Sequence, residues 1–78
     1  MEEKKVHYYQ DRDDATTLIK SVDGGEDEGL YLWQIGSKKW EKADGKAYEI
    51  LNRVVLDYAN TRVLTDEEAE EEIKKLSE

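Results

Sequence analysis

Apolar and polar positions alternate in short runs through the first half of the chain, which is the pattern of β-strands. Residues 6–10 are rich in aromatic and β-branched side chains, and residues 16–22 divide their aliphatic side chains between two faces. Residues 30–35 carry apolar groups on both faces, which is typical of a central strand. The sequence therefore predicts three strands in this half.

Turns separate these predicted strands. Residues 11–14 form a polar break rich in Asp, which favours turns by bonding to its own backbone. Residues 23–29 form an acidic loop with three glycines. A tight turn over residues 36–39 leads into a short return strand over residues 40–42, so the chain from residue 30 to residue 42 is predicted to be a β-hairpin.

Apolar residues recur at helical spacing after the hairpin. We predict a helix over about residues 46–59, capped by Asp44. Its apolar stripe comprises Ala47, Leu51, Val54, Val55 and Tyr58, with Ile50 at the edge. A strand over residues 50–56 is the competing interpretation, because two adjacent valines favour it. We prefer the helix, since strand alternation would place the polar Asn52 on the same face as its apolar neighbours.

A second helix is predicted at the end of the chain. Residues 61–64 are a short strand or an extended segment. Thr65 and Glu68 then have the spacing of a capping box, in which each side chain accepts from the other residue's backbone N–H. Apolar side chains follow at spacings of four and three, and acids crowd the first turns while lysines crowd the last. These features predict an amphipathic helix over about residues 66–77.

Together these elements predict one α+β domain over residues 1–78. Its small antiparallel sheet has three to four strands within about residues 5–42. The helix over about residues 46–59 packs on one face of the sheet, and the helix over about residues 66–77 closes the fold. From residue 30 to residue 76 the outline resembles many small proteins of bacteria and their phages, a resemblance that implies no activity.

Charge changes this picture more than any other property. The 78 residues include 20 acids and 12 basic residues, for a net charge of −8, and 41% are charged. Residues 11–28 sum to −5, residues 29–65 to +2 and residues 66–78 to −5. This balance argues against direct binding to nucleic acid or to an anionic membrane, and favours a basic protein surface as the partner.

The absence of cysteine excludes disulfides, thiolate metal sites and a cysteine nucleophile. No apolar run approaches the ~20 residues that a membrane span requires. The N-terminus lacks the basic flank and apolar stretch of a signal peptide. We therefore expect a cytoplasmic protein.

The sequence contains no complete catalytic, metal or phosphate-binding pattern. His7 is the single histidine, and nothing in the sequence marks a nucleophile for it. A calcium-loop pattern started at Asp11 or Asp23 fails at two or more of its required places. No Lys-Ser or Lys-Thr pair follows the glycines at 24 and 25, and the neighbouring acids would repel phosphate. We expect no enzymatic activity, no metal and no cofactor.

Aromatic side chains on the predicted strands are candidate anchors for a partner. Stacking on single-stranded nucleic acid would need a basic groove, and the two acidic blocks of the chain argue against one. Core packing is the ordinary role of such rings, and an exposed set suits a protein-binding patch. We predict a binding surface that combines Asp11, Asp13, Asp14, Glu26, Asp27 and Glu28 with Tyr9, Tyr31 and Trp33.

The function that this composition favours is a non-enzymatic acidic protein-binding module. Its sharpest form is an inhibitor whose carboxylates imitate a nucleic-acid backbone. The alternatives are a structural or self-associating domain, joined through the apolar stripe of the last helix, and a carboxylate- or metal-dependent enzyme. Capping and the helix dipole explain the acids of the last helix. Local structure explains the acids of residues 11–28 least. We therefore expect the acids of that block to be the more informative ones for partner binding.

Overall fold

The computed structural model describes residues 5–57 and 59–77, in which five strands form one antiparallel sheet. The sheet order is β4-β3-β2-β1-β5. The elements are β1 (Lys5–Asp11), β2 (Leu18–Asp23), β3 (Gly29–Gln34), β4 (Lys39–Lys42), α1 (Lys46–Leu56), β5 (Thr61–Leu64) and α2 (Asp66–Ser77). The predicted α+β class and the predicted hairpin are confirmed.

The sheet has five strands, so the prediction of three to four is wrong. Residues 61–64 form β5, which pairs with β1 in the register Tyr8↔Leu64 to Asp11↔Thr61. This pairing makes β1 an internal strand and β5 an edge strand. Four residues are too short for a clear alternation, and the partner strand lies some fifty residues earlier, so no local pattern marks the pairing.

The second strand begins two residues later than predicted. Thr16 and Thr17 lie in the turn before β2 because both donate hydrogen bonds to the carboxylate of Asp14. This side-chain bonding offers the backbone an alternative to the strand ladder. Leu18 and Ile19 are then the first residues of β2, and both are fully buried. They point to opposite faces of the sheet because side chains alternate along a strand.

Two apolar clusters lie on these opposite faces. The α1 cluster contains the buried Ile19, Leu30, Ala43 and Leu51, with Tyr9, Leu32, Val54 and Val55 packed against it. The α2 cluster contains the buried Leu18, Leu64 and Ala69, with Tyr8, Trp33, Trp40, Ile73 and Leu76 packed against it. The apolar residues on both faces of the strands are therefore packed, each face against one helix. The apolar stripe of α2, offered above as a self-association surface, packs against the chain's own sheet.

The first helix is shorter than predicted. It ends at Leu56 instead of residue 59, and Asp57 is its C-cap. Gly45, with a φ of 59°, occupies the N-cap without a side-chain hydrogen bond, so the prediction of an Asp44 cap is wrong. Leu51 is buried, whereas Ile50 is 60% exposed. Tyr58, the last predicted member of the stripe, lies outside the described residues.

The capping box of the second helix is confirmed. The Glu68 backbone N–H donates to Thr65 Oγ1 at 3.2 Å, and the Thr65 N–H donates to Glu68 Oε1 at 3.1 Å. Arg62 also donates to Glu68 Oε2 at 2.7 Å. Hydrogen bonds to the Glu68 carboxylate from the Thr65 backbone, which is the largest cause, and from the Thr65 hydroxyl and Arg62 lower the pKa of Glu68. They fix the start of α2 directly after β5.

We expect Thr65→Ala to lower the free energy of unfolding by about 1 kcal/mol, because the cap loses its hydroxyl acceptor. Thr65→Ser keeps that acceptor and should stay within about 0.5 kcal/mol of the unchanged protein. Urea unfolding followed by circular dichroism measures both variants. Equal stabilities for the two variants would contradict a capping role of the hydroxyl.

Candidate protein-binding site

A cleft of about 260 Å³ opens on the face of the sheet that carries the α2 cluster. We call it the aromatic cleft. It is lined by Val6, Tyr8, Lys20, Val22, Asp27, Tyr31 and Trp40. The strand register explains the meeting of these residues, because Tyr8 pairs with Lys20 and Lys20 pairs with Tyr31 across β1, β2 and β3. A row of three polar-tipped side chains therefore crosses the centre of the sheet.

Lys20 lies at the middle of the aromatic cleft. Its Nζ is 4.7 Å from the centroid of the Tyr31 ring and 5.2 Å from that of the Trp40 ring. Both distances fall within the ~6 Å at which a cation is attracted by the face of an aromatic ring. The cleft is therefore shaped to hold a positive charge between two rings.

Trp40 joins the aromatic cleft to the packed interior. Its ring centroid is 5.9 Å from that of Tyr8 and 5.3 Å from that of Trp33, the latter in an edge-to-face arrangement. Trp33 and Trp40 are directly opposed on β3 and β4. Such pairs contribute ~0.5–1.5 kcal/mol beyond the area that they bury. The rings are consequently held in fixed positions by the sheet.

Carboxylates border the aromatic rings on the side of α2. A second hollow, which we call the acidic hollow, is lined by Tyr8, Trp40, Asp66, Ala69, Glu70 and Ile73. It shares Tyr8 and Trp40 with the aromatic cleft. Asp66 and Glu70 are one helical turn apart, so they lie on the same side of α2. Trp40 thus adjoins both the Lys20 ammonium of the aromatic cleft and the carboxylates of the acidic hollow.

The pKa of the Tyr8 phenol is affected by burial and by these carboxylates. Burial raises the pKa of its phenol, and the charges of Asp66 and Glu70 raise that pKa further. The neutral phenol is therefore favoured in the folded protein. The associated stability is present below the ordinary tyrosine pKa and is lost as the pH rises through the raised value.

We expect the double variant Asp66→Asn with Glu70→Gln to lower the Tyr8 pKa part of the way towards its ordinary value, because burial, the larger cause, remains. An alkaline absorbance titration, with a Tyr8→Phe protein subtracted, isolates this phenol. The matched variant Glu67→Gln with Glu71→Gln should leave the Tyr8 pKa nearer to that of the unchanged protein. Equal shifts in both would contradict the placement of the acidic hollow.

The loop before β3 closes the other end of the cleft. Tyr31 Oη donates to the backbone carbonyl of Asp27 at 2.6 Å, which fixes the ring beneath the loop. Glu28 Oε2 accepts from the Gly24 N–H at 3.2 Å, so this carboxylate helps to shape the loop. Glu26 is exposed in the same loop. Of the three predicted acids in this loop, Asp27 is the one that lines the aromatic cleft.

The other predicted acids lie at the opposite end of the sheet, where Asp11 is the last residue of β1 and Asp13 and Asp14 are in the turn before β2. Asp11 Oδ1 accepts from the Asp13 N–H at 2.9 Å. Asp14 accepts from Thr16 and Thr17, and these bonds, led by the Thr16 hydroxyl, lower its pKa. The length of β2, roughly 17 Å at ~3.4 Å per residue, separates this turn from the loop of Asp27. The six predicted carboxylates therefore do not converge.

The structure also separates the three predicted aromatic anchors. Tyr31 lines the aromatic cleft, and Trp33 lies on the same face but packs against the α2 cluster. The indole Nε1 of Trp33 is buried and has no hydrogen-bond partner among residues 5–57 and 59–77. Tyr9 lies on the opposite face, against the α1 cluster. Asp27 and Tyr31 are thus the predicted residues that line the cleft.

Sequence reasoning missed the rest of the site as a set. Lys20, Asp66 and Glu70 are not among the predicted binding residues, and neither are Tyr8 and Trp40, two further aromatic residues of the predicted strands. The available signal was the alternation of β2, which puts Lys20 on the same face as Leu18 and Val22. A lysine between two buried aliphatic positions marks a place where the covered face meets solvent.

Two further observations bear on the chemistry of the described residues. Within residues 5–57 and 59–77, no group of three or more His, Asp or Glu side chains is placed to hold a metal ion. Neither helix of that part of the chain has the length and apolar character that a membrane span requires.

Comparisons of the chain with protein-family models, with curated protein sequences and with solved structures find no significant match. Function is therefore inferred from the geometry and charge of the aromatic cleft and the acidic hollow.

Proposed function

We propose that this protein is a non-enzymatic acidic module that docks on a basic protein surface through the aromatic cleft and the acidic hollow. The observation that supports the proposal is the convergence of three features on one sheet face. These are an aromatic floor, a lysine held between the rings of Tyr31 and Trp40, and the carboxylates of α2 beside Trp40 and Tyr8.

The physical basis is a match between this face and a basic side chain. Aromatic ring faces attract cations, and carboxylates add Coulomb attraction that salt weakens. Tyr and Trp anchors surrounded by a polar rim are the common composition of protein-binding hot spots. The net charge of −8 steers a basic partner towards the protein from a distance.

The sharpest form of the proposal is an inhibitor of a nucleic-acid-binding protein. The exposed acids of α2 would occupy the lysines and arginines with which such a partner holds a phosphate backbone. We propose the cytoplasm as the compartment, since secreted domains of this size usually contain disulfides and this sequence has no cysteine.

The test compares two charge-matched double variants of α2. Asp66→Asn with Glu70→Gln removes the acids beside the rings, whereas Glu67→Gln with Glu71→Gln removes two exposed acids elsewhere on the same helix. Each variant changes the net charge from −8 to −6. In each, the two substituted residues are four positions apart, and one of them lies in the first turn of α2. Differences between the two variants therefore report position and not total charge.

The readout is retention of proteins from a lysate of the source cells on each immobilised form, repeated at rising salt. We expect a basic protein that the unchanged chain and the Glu67, Glu71 variant retain at low salt. The Asp66, Glu70 variant should lose it. Retention that is equal on all three forms, or that ignores salt, would overturn the proposal.

A further inference from the structure

We infer that the aromatic cleft receives an arginine side chain of the partner, and that Lys20 occupies the place of that arginine in the free protein. The inference rests on the proposed function and names the group that the site recognises. Lys20 is thereby a built-in competitor that a partner must displace.

The first step is the position of the Lys20 ammonium. Its distances of 4.7 Å to the Tyr31 centroid and 5.2 Å to the Trp40 centroid show that the cleft accommodates one cation between two rings. The cation comes from the central strand of the sheet, where a side chain flanked by buried residues would ordinarily be apolar. The chain therefore fills its own cation site.

The second step is the ease of displacement. A lysine side chain has four flexible methylenes, so its ammonium can swing to solvent while the stem stays on the sheet. The backbone of β2 is held on both sides, by β1 and by β3, and need not move. Binding of a partner thus exchanges one cation for another without unfolding any strand.

The third step is the preference for arginine. A guanidinium is planar, stacks on aromatic faces, and is more weakly hydrated than an ammonium, so its transfer into the cleft costs less. Its donors also fan out in a fixed fork. The acidic hollow shares Tyr8 and Trp40 with the aromatic cleft, so the carboxylates of Asp66 and Glu70 line the space next to a guanidinium that stacks on Trp40. A lysine presents a single point charge and has no planar fork of donors.

The test measures binding of an oligo-arginine peptide and an oligo-lysine peptide of equal length by isothermal titration. For the unchanged protein we expect the arginine peptide to bind about threefold tighter or more, which is within the range of a single cation–ring contact. Lys20→Thr opens the cleft, and we expect it to bind the arginine peptide about fivefold tighter than the unchanged protein.

The matched control is Lys39→Thr. Lys39 is exposed on β4, and its side chain points to the opposite face of the sheet from Trp40. Both substitutions change the net charge from −8 to −9. Lys39→Thr should therefore tighten binding by less than about twofold, which is the effect of charge alone at an exposed site.

Lys20→Arg supplies a second variant that keeps the positive charge on a long, flexible side chain. The protein's own guanidinium then fills the cleft more firmly, so we expect it to bind the arginine peptide about two- to threefold more weakly. Equal affinities for the two peptides, or equal effects of Lys20→Thr and Lys39→Thr together with no effect of Lys20→Arg, would overturn the inference.

The same titrations separate this inference from the proposed function. If the Asp66, Glu70 variant loses peptide binding while the Lys20 variants behave like their control, the acidic site stands and the arginine exchange is wrong. If the Asp66, Glu70 and Glu67, Glu71 variants bind equally, the proposed site itself is wrong.

Discussion

Ile19→Ala is expected to lower the free energy of unfolding by about 3–4 kcal/mol, because it empties the centre of the α1 cluster. Ile19 is fully buried on the central strand of the sheet, opposite Tyr9 on β1 and Leu32 on β3. The surrounding strands are paired on both sides and cannot close the cavity. Total stability in small domains is ~5–15 kcal/mol, so this variant should unfold at far lower urea concentration.

The control is Ile50→Ala on α1. The same atoms are removed, but Ile50 is 60% exposed, so little packing is lost. We expect a change within about 0.5 kcal/mol, since alanine also favours the helix. Urea unfolding followed by circular dichroism compares the two variants. A loss at Ile50 as large as that at Ile19 would contradict the assignment of the core.

Trp40→Ala is expected to lower the free energy of unfolding by about 2–3 kcal/mol and to abolish tight binding of basic peptides. The indole contacts Tyr8 and Trp33, and it is one of the two rings beside Lys20. Its removal opens the α2 cluster and takes away one wall of the aromatic cleft. Thermal unfolding and titration with the oligo-arginine peptide measure the two effects.

Trp40→Phe separates packing from recognition. A phenyl ring fills much of the same volume but attracts a cation less strongly than an indole. We expect about 1 kcal/mol or less of lost stability together with measurably weaker binding of the arginine peptide. Full retention of binding by a folded Trp40→Ala protein would exclude Trp40 from the site.

Features encoded by neighbouring residues could be predicted from the sequence. The hairpin of β3 and β4 follows from a tight turn between two alternating runs. The start of α2 follows from the Thr65 and Glu68 pair, whose reciprocal bonds form within four residues. In each case the residues that stabilise the element lie inside it or next to it in the sequence.

Features that depend on distant pairing could not be predicted. A short strand over residues 61–64 is one of the two predictions for that segment, but its sequence carries no sign of the pairing with the edge of β1. Gln10 is buried because its amide donates to the Ala15 carbonyl at 2.9 Å and to Glu72 at 3.2 Å, sixty-two residues away along the chain. Because glutamine is mostly exposed in folded proteins, the sequence alone predicts a surface position for Gln10.

The candidate site was the hardest part to predict for the same reason. Tyr8, Lys20 and Tyr31 form a row only in one strand register, and a slip of one residue would send alternate side chains to the other face. The predicted binding surface combines the acids of residues 11–14 with those of residues 26–28 because they are close in sequence. The length of β2 separates these two sets in the fold. Local structure also explains Asp11, Asp14 and Glu28, which accept hydrogen bonds within their own turns.

The most direct test of the central claim is a map of backbone amide shifts of the isotope-labelled protein on titration with the oligo-arginine peptide. The account predicts that the largest changes fall on Tyr8, Lys20, Tyr31 and Trp40 and on the first two turns of α2, and that they fade as salt is added. Changes centred on the turn of residues 11–14, or spread evenly over all acidic segments, would contradict it.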